Sequence, residues 1–430
     1  VLGTFRSLNG DSTVTLSDNA RLEIGHMVQV GTNDGTHNWT IEDSAVVEMS
    51  QPTQGGWDVG NNDGTGSVTV TQTGGTVGQT KERTIDGTAQ WNISGGTLNN
   101  RGLYVNGQLN LSGDGNVDTA FDIHVGNEAG VSGQYTAADG TLSGRTFYIG
   151  SVADATGTVT LHSDVAPVGL NTRGFPLTVG AASGSGTGTL ELAGATIDTR
   201  APYAGGGEVT VNSTGTITGY GVLTKNTVSF TMVGKVIADG GGSDNTLDLS
   251  DGGLTGTAEN SSDLGWYARN GGKLMLAPLT VDAGDSSINW GEQADDAAID
   301  MVNSLNLAFT GVGTGGDVEI AMLAPDRTDV ADWSGDLIGV WEITPNGTFD
   351  FGGGSVDLTF RYDDALAAGS ANRLTVLHYT GGSWVDITSG IDTTNKLISA
   401  DGVGSFSQFG IGIVPEPASI LLFGLLAGRF

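Results

Sequence analysis

The sequence has no cysteine among its 430 residues, which excludes disulfides, cysteine-ligated metal sites and thiol nucleophiles. Proline is scarce, at 9 residues, and the 72 glycines follow no Gly-x-y period, so the chain is not collagen-like. Basic residues are also few, because 17 Lys and Arg stand against 48 Asp and Glu, for a net charge of −31. Such an acidic chain repels phosphate backbones and anionic lipid surfaces. We therefore expect no nucleic-acid partner.

A recurring tetrapeptide, apolar-x-apolar-Gly, organises the first half of the chain. It occurs at residues 28–31, 57–60, 123–126, 147–150 and 177–180, and at 103–106 with Asn in place of Gly. Neighbouring copies lie 20 to 30 residues apart, except for a gap of 46 residues between Val59 and Val105, which is about two units. A fixed period in this range is typical of stacked repeat architectures.

Each unit also carries short segments in which apolar and polar residues alternate, for example residues 67–71, 90–94, 108–112, 158–161 and 189–192. Alternation with β-branched residues predicts strands, and Gly and Asn at the breaks suit tight turns. Two or three short strands per unit, without a helical pattern, favour an all-β fold. We predict a parallel, right-handed β-solenoid over residues 1–297, with a run of β-sandwiches as the competing fold.

The pattern changes after residue 297 to longer strands separated by turn residues. Examples are residues 304–309, 317–323, 355–360, 373–379, 384–387, 396–398 and 406–411. This spacing is typical of an antiparallel β-sandwich, which we predict for residues 298–412.

Residues 413–430 form a third segment, a short apolar tail. It contains Val414, Pro415, Glu416, Pro417, Ala418 and Ser419, then an apolar run over 418–428, and ends with Arg429 and Phe430. This arrangement resembles the PEP-CTERM sorting signal of exported proteins in Gram-negative, exopolysaccharide-producing bacteria. The resemblance implies recognition of Pro415-Glu416-Pro417 by an exosortase-type membrane processing enzyme, transient membrane insertion of the apolar run, and a basic stop at Arg429. The run has eleven residues, whereas a spanning helix needs about 20.

The repeats also resemble the β-helical passenger regions of autotransporter-type surface proteins, and residues 359–413 resemble small β-sandwich modules that precede sorting signals. Together these resemblances imply an exported structural or adhesive protein of the outer cell surface or extracellular matrix, with exopolysaccharide as a partner. Two alternatives stay open. One is a polysaccharide-binding or polysaccharide-degrading β-helix protein, and the other is a self-assembling extracellular filament subunit.

No catalytic motif emerges from the sequence, so we do not expect an enzyme; a glycan lyase or hydrolase is the alternative. The acidic pairs at 295–296 and 363–364 are adjacent in sequence. Adjacent strand residues point to opposite faces, so neither pair by itself forms a catalytic pair of carboxylates. We expect no cofactor, although hard oxygen ligands in turns would suit calcium. Its candidate ligands are Asp34, Asp63, Asp244 and Asp248. Among the aromatic residues that could contact a glycan, we expect Trp341 and Trp384 in the core and Trp333 exposed.

Overall fold

The computed structural model describes residues 2–7, 10–31, 35–49, 56–60, 66–80, 82–162, 169–171, 176–198, 208–224, 230–250, 265–291, 302, 304–362 and 371–415. The fold is all-β, as predicted, with large parallel sheets and a 3₁₀ helix at Ala371–Arg373. Within the described ranges, no helix has the length and hydrophobicity needed to cross a membrane.

Parallel strands occupy the chain up to residue 275, and we call them the parallel stack. They begin with β1 (Leu2–Ser7), β2 (Ser12–Leu16), β3 (Arg21–Val30), β4 (Thr36–Ile41), β5 (Val46–Met49), β6 (Gly56–Val59), β7 (Ser67–Thr80), β8 (Glu82–Ile85), β9 (Ala89–Asn100), β10 (Leu103–Val105), β11 (Gln108–Leu111), β12 (Asn116–Thr119), β13 (Asp122–Val125) and β14 (Ser132–Ala137). They continue with β15 (Thr141–Ser143), β16 (Thr146–Ile149), β17 (Thr156–His162), β18 (Gly169–Asn171), β19 (Leu177–Val179), β20 (Thr187–Asp198), β21 (Val209–Val211), β22 (Gly215–Thr224), β23 (Phe230–Met232), β24 (Lys235–Asp239), β25 (Asn245–Asp248), β26 (Trp266–Arg269) and β27 (Gly272–Met275).

The tetrapeptide repeat corresponds to one register-aligned column of these strands. β3, β6, β8, β10, β13, β16, β19, β21 and β23 pair in parallel, each with the next. Every predicted copy lies in this column. The gap of 46 residues is filled by β8, whose Ile85 pairs with both Val59 and Val105. Residues 82–86 are therefore a divergent copy of the repeat.

Inward side chains form continuous apolar ladders. One ladder joins Val28, Trp57, Arg83, Leu103, Ile123, Phe147, Leu177 and Val209 in register. A second joins Trp39, Val70, Trp91, Leu109, Tyr135, Val159, Leu190 and Ile217. All of these side chains are 0–1% exposed. Burial of this much apolar surface, at about 25 cal/mol per Å², is the main stabilising contribution to the stack.

Arg83 is the exception inside this core. Its side chain is fully buried, with the guanidinium carbon 5.0 Å from the Trp57 ring centroid and 4.9 Å from that of Trp91. Among the described residues, no acceptor hydrogen-bonds to its Nε, Nη1 or Nη2. Burial lowers the pKa of Arg83 to about 9. A charge buried without an acceptor lowers the stability of the folded state. β8 therefore differs from the other strands of the column in its buried side chain as well as in its sequence.

Antiparallel strands follow in the described residues after Met275. They are β28 (Leu279–Val281), β29 (Gly284–Trp290), β30 (Leu305–Val312), β31 (Gly316–Leu323), β32 (Asp336–Asn346), β33 (Ser355–Arg361), β34 (Leu374–Thr380), β35 (Ser383–Asp386), β36 (Gly390–Asp392), β37 (Leu397–Val403) and β38 (Gln408–Ile413). One sheet has the order β29-β30-β33-β37-β36. The other runs from β31 through β32, β38 and β34 to β35. The two sheets contact each other, as shown by Trp341 and Phe360, whose ring centroids are 5.0 Å apart.

The antiparallel sheet is joined directly to the end of the parallel stack. β31 pairs antiparallel with both β27 and β28, and Lys273 of β27 forms a 2.6 Å ion pair with Glu342 of β32. Parallel pairing thus ends at Met275. The predicted boundary between residues 297 and 298 lies outside the described residues.

Candidate functional site

The outward positions of the repeat column form a second ladder, which we call the outer ladder. It comprises Gln29, Asp58, Thr84, Tyr104, His124, Tyr148, Thr178, Thr210 and Thr231, paired in register. Most of its members are small or polar and neutral, as on a solvated face. Its centre differs, because three consecutive strands carry aromatic rings there.

These three rings stack along the outer ladder. The Tyr104 and His124 centroids are 5.0 Å apart with an interplanar angle of 14°, and those of His124 and Tyr148 are 4.6 Å apart at 19°. The spacing matches the strand separation of about 4.8 Å, so parallel pairing alone places the rings in contact. The result is a column of three partly exposed rings.

A groove of about 250 Å³ lies beside this column. We call it the Phe121 groove; it is lined by Glu82, Arg101, Gly102, Tyr104, Phe121 and Asp122. Phe121 is 38% exposed, and the guanidinium carbons of Arg101 and Arg145 lie 5.1 and 5.8 Å from its ring centroid. Aromatic faces, two carboxylates and a guanidinium therefore converge on one outward surface. Such a mixture of apolar and hydrogen-bonding groups is typical of a ligand site.

Acidic groups around β8 hold protons unusually well. Burial, with the neighbouring charges of Asp58 and Glu128, raises the pKa of Asp86 to about 7. Burial also raises the pKa of Asp58, and the charge of Glu82 adds to this effect. Burial lowers the pKa of His124, which favours its neutral form at pH 7. A carboxyl group that is half-protonated near neutral pH can donate a proton, and Asp86 is the described residue with this property.

Asp86 should make the stability of the protein depend on pH. Its pKa is higher in the folded chain than in the unfolded chain, so the folded state binds the proton more tightly. The contribution is fully present below about pH 4 and is lost as the pH rises towards 7. The melting temperature should therefore fall as the pH rises from 4 to 8. We expect Asp86→Asn to reduce this fall and to stabilise the protein at pH 8.

Melting curves of the two proteins between pH 4 and pH 8 test this, with Asp114→Asn as the control because Asp114 lies exposed in a turn. The difference between wild type and variant separates Asp86 from other titrating groups. Equal pH dependence of the wild type and Asp86→Asn would contradict the assignment.

Of the predicted sorting residues, the structure describes Val414 and Pro415, both exposed. The Val414 backbone N–H donates to the Arg373 carbonyl at 2.8 Å, which holds the chain where it leaves β38. Glu416, Pro417, Ala418, Ser419 and Arg429 lie outside the described residues.

Of the four calcium candidates, the structure describes Asp244 and Asp248. Asp244 accepts hydrogen bonds from the Thr328 backbone N–H at 3.2 Å and from the Thr328 hydroxyl. Asp248 accepts from the Ser250 N–H at 2.9 Å, an Asx turn. Asp34, Asp63 and the acidic pairs at 295–296 and 363–364 lie outside the described residues. Within those residues, no group of three or more His, Asp or Glu side chains is arranged to hold a metal.

The three tryptophans singled out from the sequence differ in burial. Trp341 is fully buried, as predicted, whereas Trp384 is only partly buried and lies at the edge of a small cluster with Leu323, Val330 and Val340. Trp333 is partly exposed.

Sequence reasoning missed the residues of the Phe121 groove. The signal that could have located them is the divergent repeat copy at 82–86, where Arg83 replaces an apolar residue and Asp86 replaces the glycine. Comparisons with protein-family models, with curated proteins and with solved structures each gave no match.

Proposed function

We propose that the chain is an exported, non-enzymatic structural or adhesive protein of the surface or extracellular matrix of a Gram-negative bacterium. In this proposal residues 1–297 form a parallel, right-handed β-solenoid, residues 298–412 a β-sandwich, and residues 413–430 a PEP-CTERM-type sorting segment. The observation that carries the structural role is the nine-strand outer ladder, which is continuous and mostly neutral and polar. A long stacked face of this kind suits display and adhesion.

The strand pairing at the C-terminal end of the stack argues against the filament alternative. Assembly end to end needs a free strand edge. The last parallel strand, β27, is already paired with β31 on that side. We therefore favour a displayed protein over a filament subunit.

The sorting role depends on the tail. We propose that an exosortase-type enzyme recognises Pro415-Glu416-Pro417, that residues 418–428 insert transiently into the membrane, and that Arg429 acts as the stop. The exposed exit of the chain at Val414 and Pro415 supports access by such an enzyme.

Expression in an exopolysaccharide-producing Gram-negative host that carries an exosortase tests this function. Mass spectrometry of the secreted or surface-bound protein should show a new C-terminus close to the tripeptide. Replacing Pro415, Glu416 and Pro417 by alanine should leave the tail attached and reduce surface display. Pro278→Ala, a proline substitution far from the tail, serves as the control. Identical C-termini in wild type and the tail variant would overturn the sorting proposal.

Polysaccharide binding is the second candidate function, and the Phe121 groove favours it. Phe121, Tyr104 and the paired charges around them supply apolar and hydrogen-bonding contacts on one face. A glycan lyase or hydrolase would be the catalytic form of this alternative. Retention on an exopolysaccharide column, lost in Phe121→Ala, would support binding. Shortening of the polysaccharide by the wild type would support catalysis.

A further inference from the structure

A larger cavity, of about 630 Å³, lies in the antiparallel region far along the chain from the Phe121 groove. It opens between residues 327–334 and the hairpin formed by β34 and β35. We call it the Trp333 cavity. Its volume falls within the range of about 300–1,000 Å³ that is usual for small-molecule sites.

The accessible tryptophans of the protein are concentrated in this cavity. Six of the eight tryptophans are 0–1% exposed, namely Trp39, Trp57, Trp91, Trp266, Trp290 and Trp341. The other two, Trp333 and Trp384, are partly exposed and both line the Trp333 cavity, together with Tyr379. Elsewhere the fold buries its indoles completely, so two accessible indoles in one cavity call for an explanation.

The aromatic rings are held in place before any ligand arrives. The Trp384 indole N–H donates to the Ala331 carbonyl at 2.7 Å, and its ring lies 5.4 Å from that of Tyr379. Trp333 rests against Gly412 of β38, where a Cβ atom would lie 2.2 Å from a carbon of the indole ring. Glycine at this position lets the indole pack on the backbone. Pre-positioned rings lose little entropy on binding.

The charges at the cavity disfavour an anionic ligand. Arg327 lines the cavity, but its guanidinium donates to both carboxylate oxygens of Asp329 at 2.8 Å and to the Gly271 carbonyl at 2.8 Å. The exposed side chains in the lining are those of Thr328, Asp332, Ser334 and Ser383. Hydroxyls and a carboxylate therefore face the ligand, in a chain whose net charge is −31.

We propose that the Trp333 cavity binds a neutral oligosaccharide. Indole and phenol rings offer flat apolar surfaces for the C–H faces of sugar rings, while the serine hydroxyls and the Asp332 carboxylate pair with sugar hydroxyls. This inference goes beyond the proposed sorting and structural role and rests on neither the tail nor the Phe121 groove.

Tryptophan fluorescence tests the proposal on the full chain. Since six tryptophans are buried, a ligand-dependent change in emission or in acrylamide quenching reports on Trp333 and Trp384. The probes are cello-, xylo-, malto- and chito-oligosaccharides up to 10 mM, with alginate oligosaccharide as the anionic comparison. We expect saturable protection from acrylamide with at least one neutral probe and none with alginate. No saturation with any neutral probe, or saturation with alginate alone, would overturn the proposal.

Ser383→Tyr locates the binding without removing a buried ring. Ser383 is exposed on β35, so tyrosine there fills the cavity and should weaken binding about tenfold or more, equivalent to at least about 1.4 kcal/mol. Ser132→Tyr, at an exposed strand serine of the parallel stack, should bind as the wild type does. Undiminished binding in Ser383→Tyr would place the sugar elsewhere and refute this inference. Tail cleavage is measured separately, so failure of the sorting proposal is a distinct result.

Discussion

Replacing Arg83 by methionine should stabilise the protein by about 1–4 kcal/mol, the range found when buried ion pairs are exchanged for apolar residues of similar volume. Arg83 is fully buried between Trp57 and Trp91. Methionine has a similar length and no charge, and its sulfur makes favourable contacts with aromatic rings. We expect a higher urea midpoint and a higher melting temperature for Arg83→Met.

The sign of this prediction depends on two opposing contributions. A pKa of about 9 for Arg83 corresponds to about 5 kcal/mol against the charged form. Two cation–π contacts in a desolvated site stabilise the charged form of Arg83 by about 2 kcal/mol each. Together they offset most, but not all, of the cost of burying the charge. The methionine variant avoids the cost and keeps part of the aromatic contact, so the balance favours it.

Arg21→Met is the matched control. Arg21 is exposed and pairs with Glu48 at the surface, and such a pair contributes about 0–1 kcal/mol. Its replacement should therefore change the urea midpoint little. A loss of stability in Arg83→Met greater than in Arg21→Met would contradict the prediction. It would mean that an acceptor or bound anion compensates the Arg83 charge.

Arg83 also explains what the sequence could and could not predict. Every copy that the sequence analysis recognised has apolar residues at both inward positions of the tetrapeptide, and all of these copies lie in one register-aligned column. The copy in β8 has arginine at the first inward position, so the apolar pattern passed over it. Only the doubled interval between Val59 and Val105 indicated that a unit was missing.

β32 was missed for a different reason. Ile338, Gly339, Val340 and Trp341 are all buried, because the strand lies between β31 and β38 and is covered on both faces. A strand buried on both faces lacks the alternation that marks a half-buried one. Alternation therefore gives no signal for β32, although β38, which is also buried over most of its length, was among the predicted strands.

The two candidate binding sites could not be predicted from local sequence. Arg101, Phe121 and Arg145 lie in the turns of successive repeat units, and only parallel stacking brings their side chains together. Likewise, Trp333 and Trp384 are separated by most of the antiparallel sheet in sequence and meet at one cavity. The sequence indicated the residue types, whereas the pairing of distant strands determined which of them converge.

Gly150→Ala should be among the most destabilising single substitutions in the stack, at about 2–5 kcal/mol. Gly150 follows β16 with φ +59°, and a Cβ atom there would lie 1.8 Å from the Thr187 carbonyl oxygen. The left-handed conformation strains an alanine by about 1–2 kcal/mol. Relief of the overlap requires displacement of the neighbouring backbone, which adds about 1–3 kcal/mol.

Gly130→Ala separates these two causes. Gly130 has φ +79°, and a Cβ atom there would meet no atom within 4 Å, so its replacement adds only the conformational strain. Urea denaturation of the two variants should give a small loss for Gly130→Ala and a loss at least twice as large for Gly150→Ala. Since the Gly150 N–H donates to the Val125 carbonyl at 2.8 Å, a displacement at Gly150 also disturbs the preceding unit. Equal losses in the two variants would show that close stacking of the units does not require glycine at the end of the repeat.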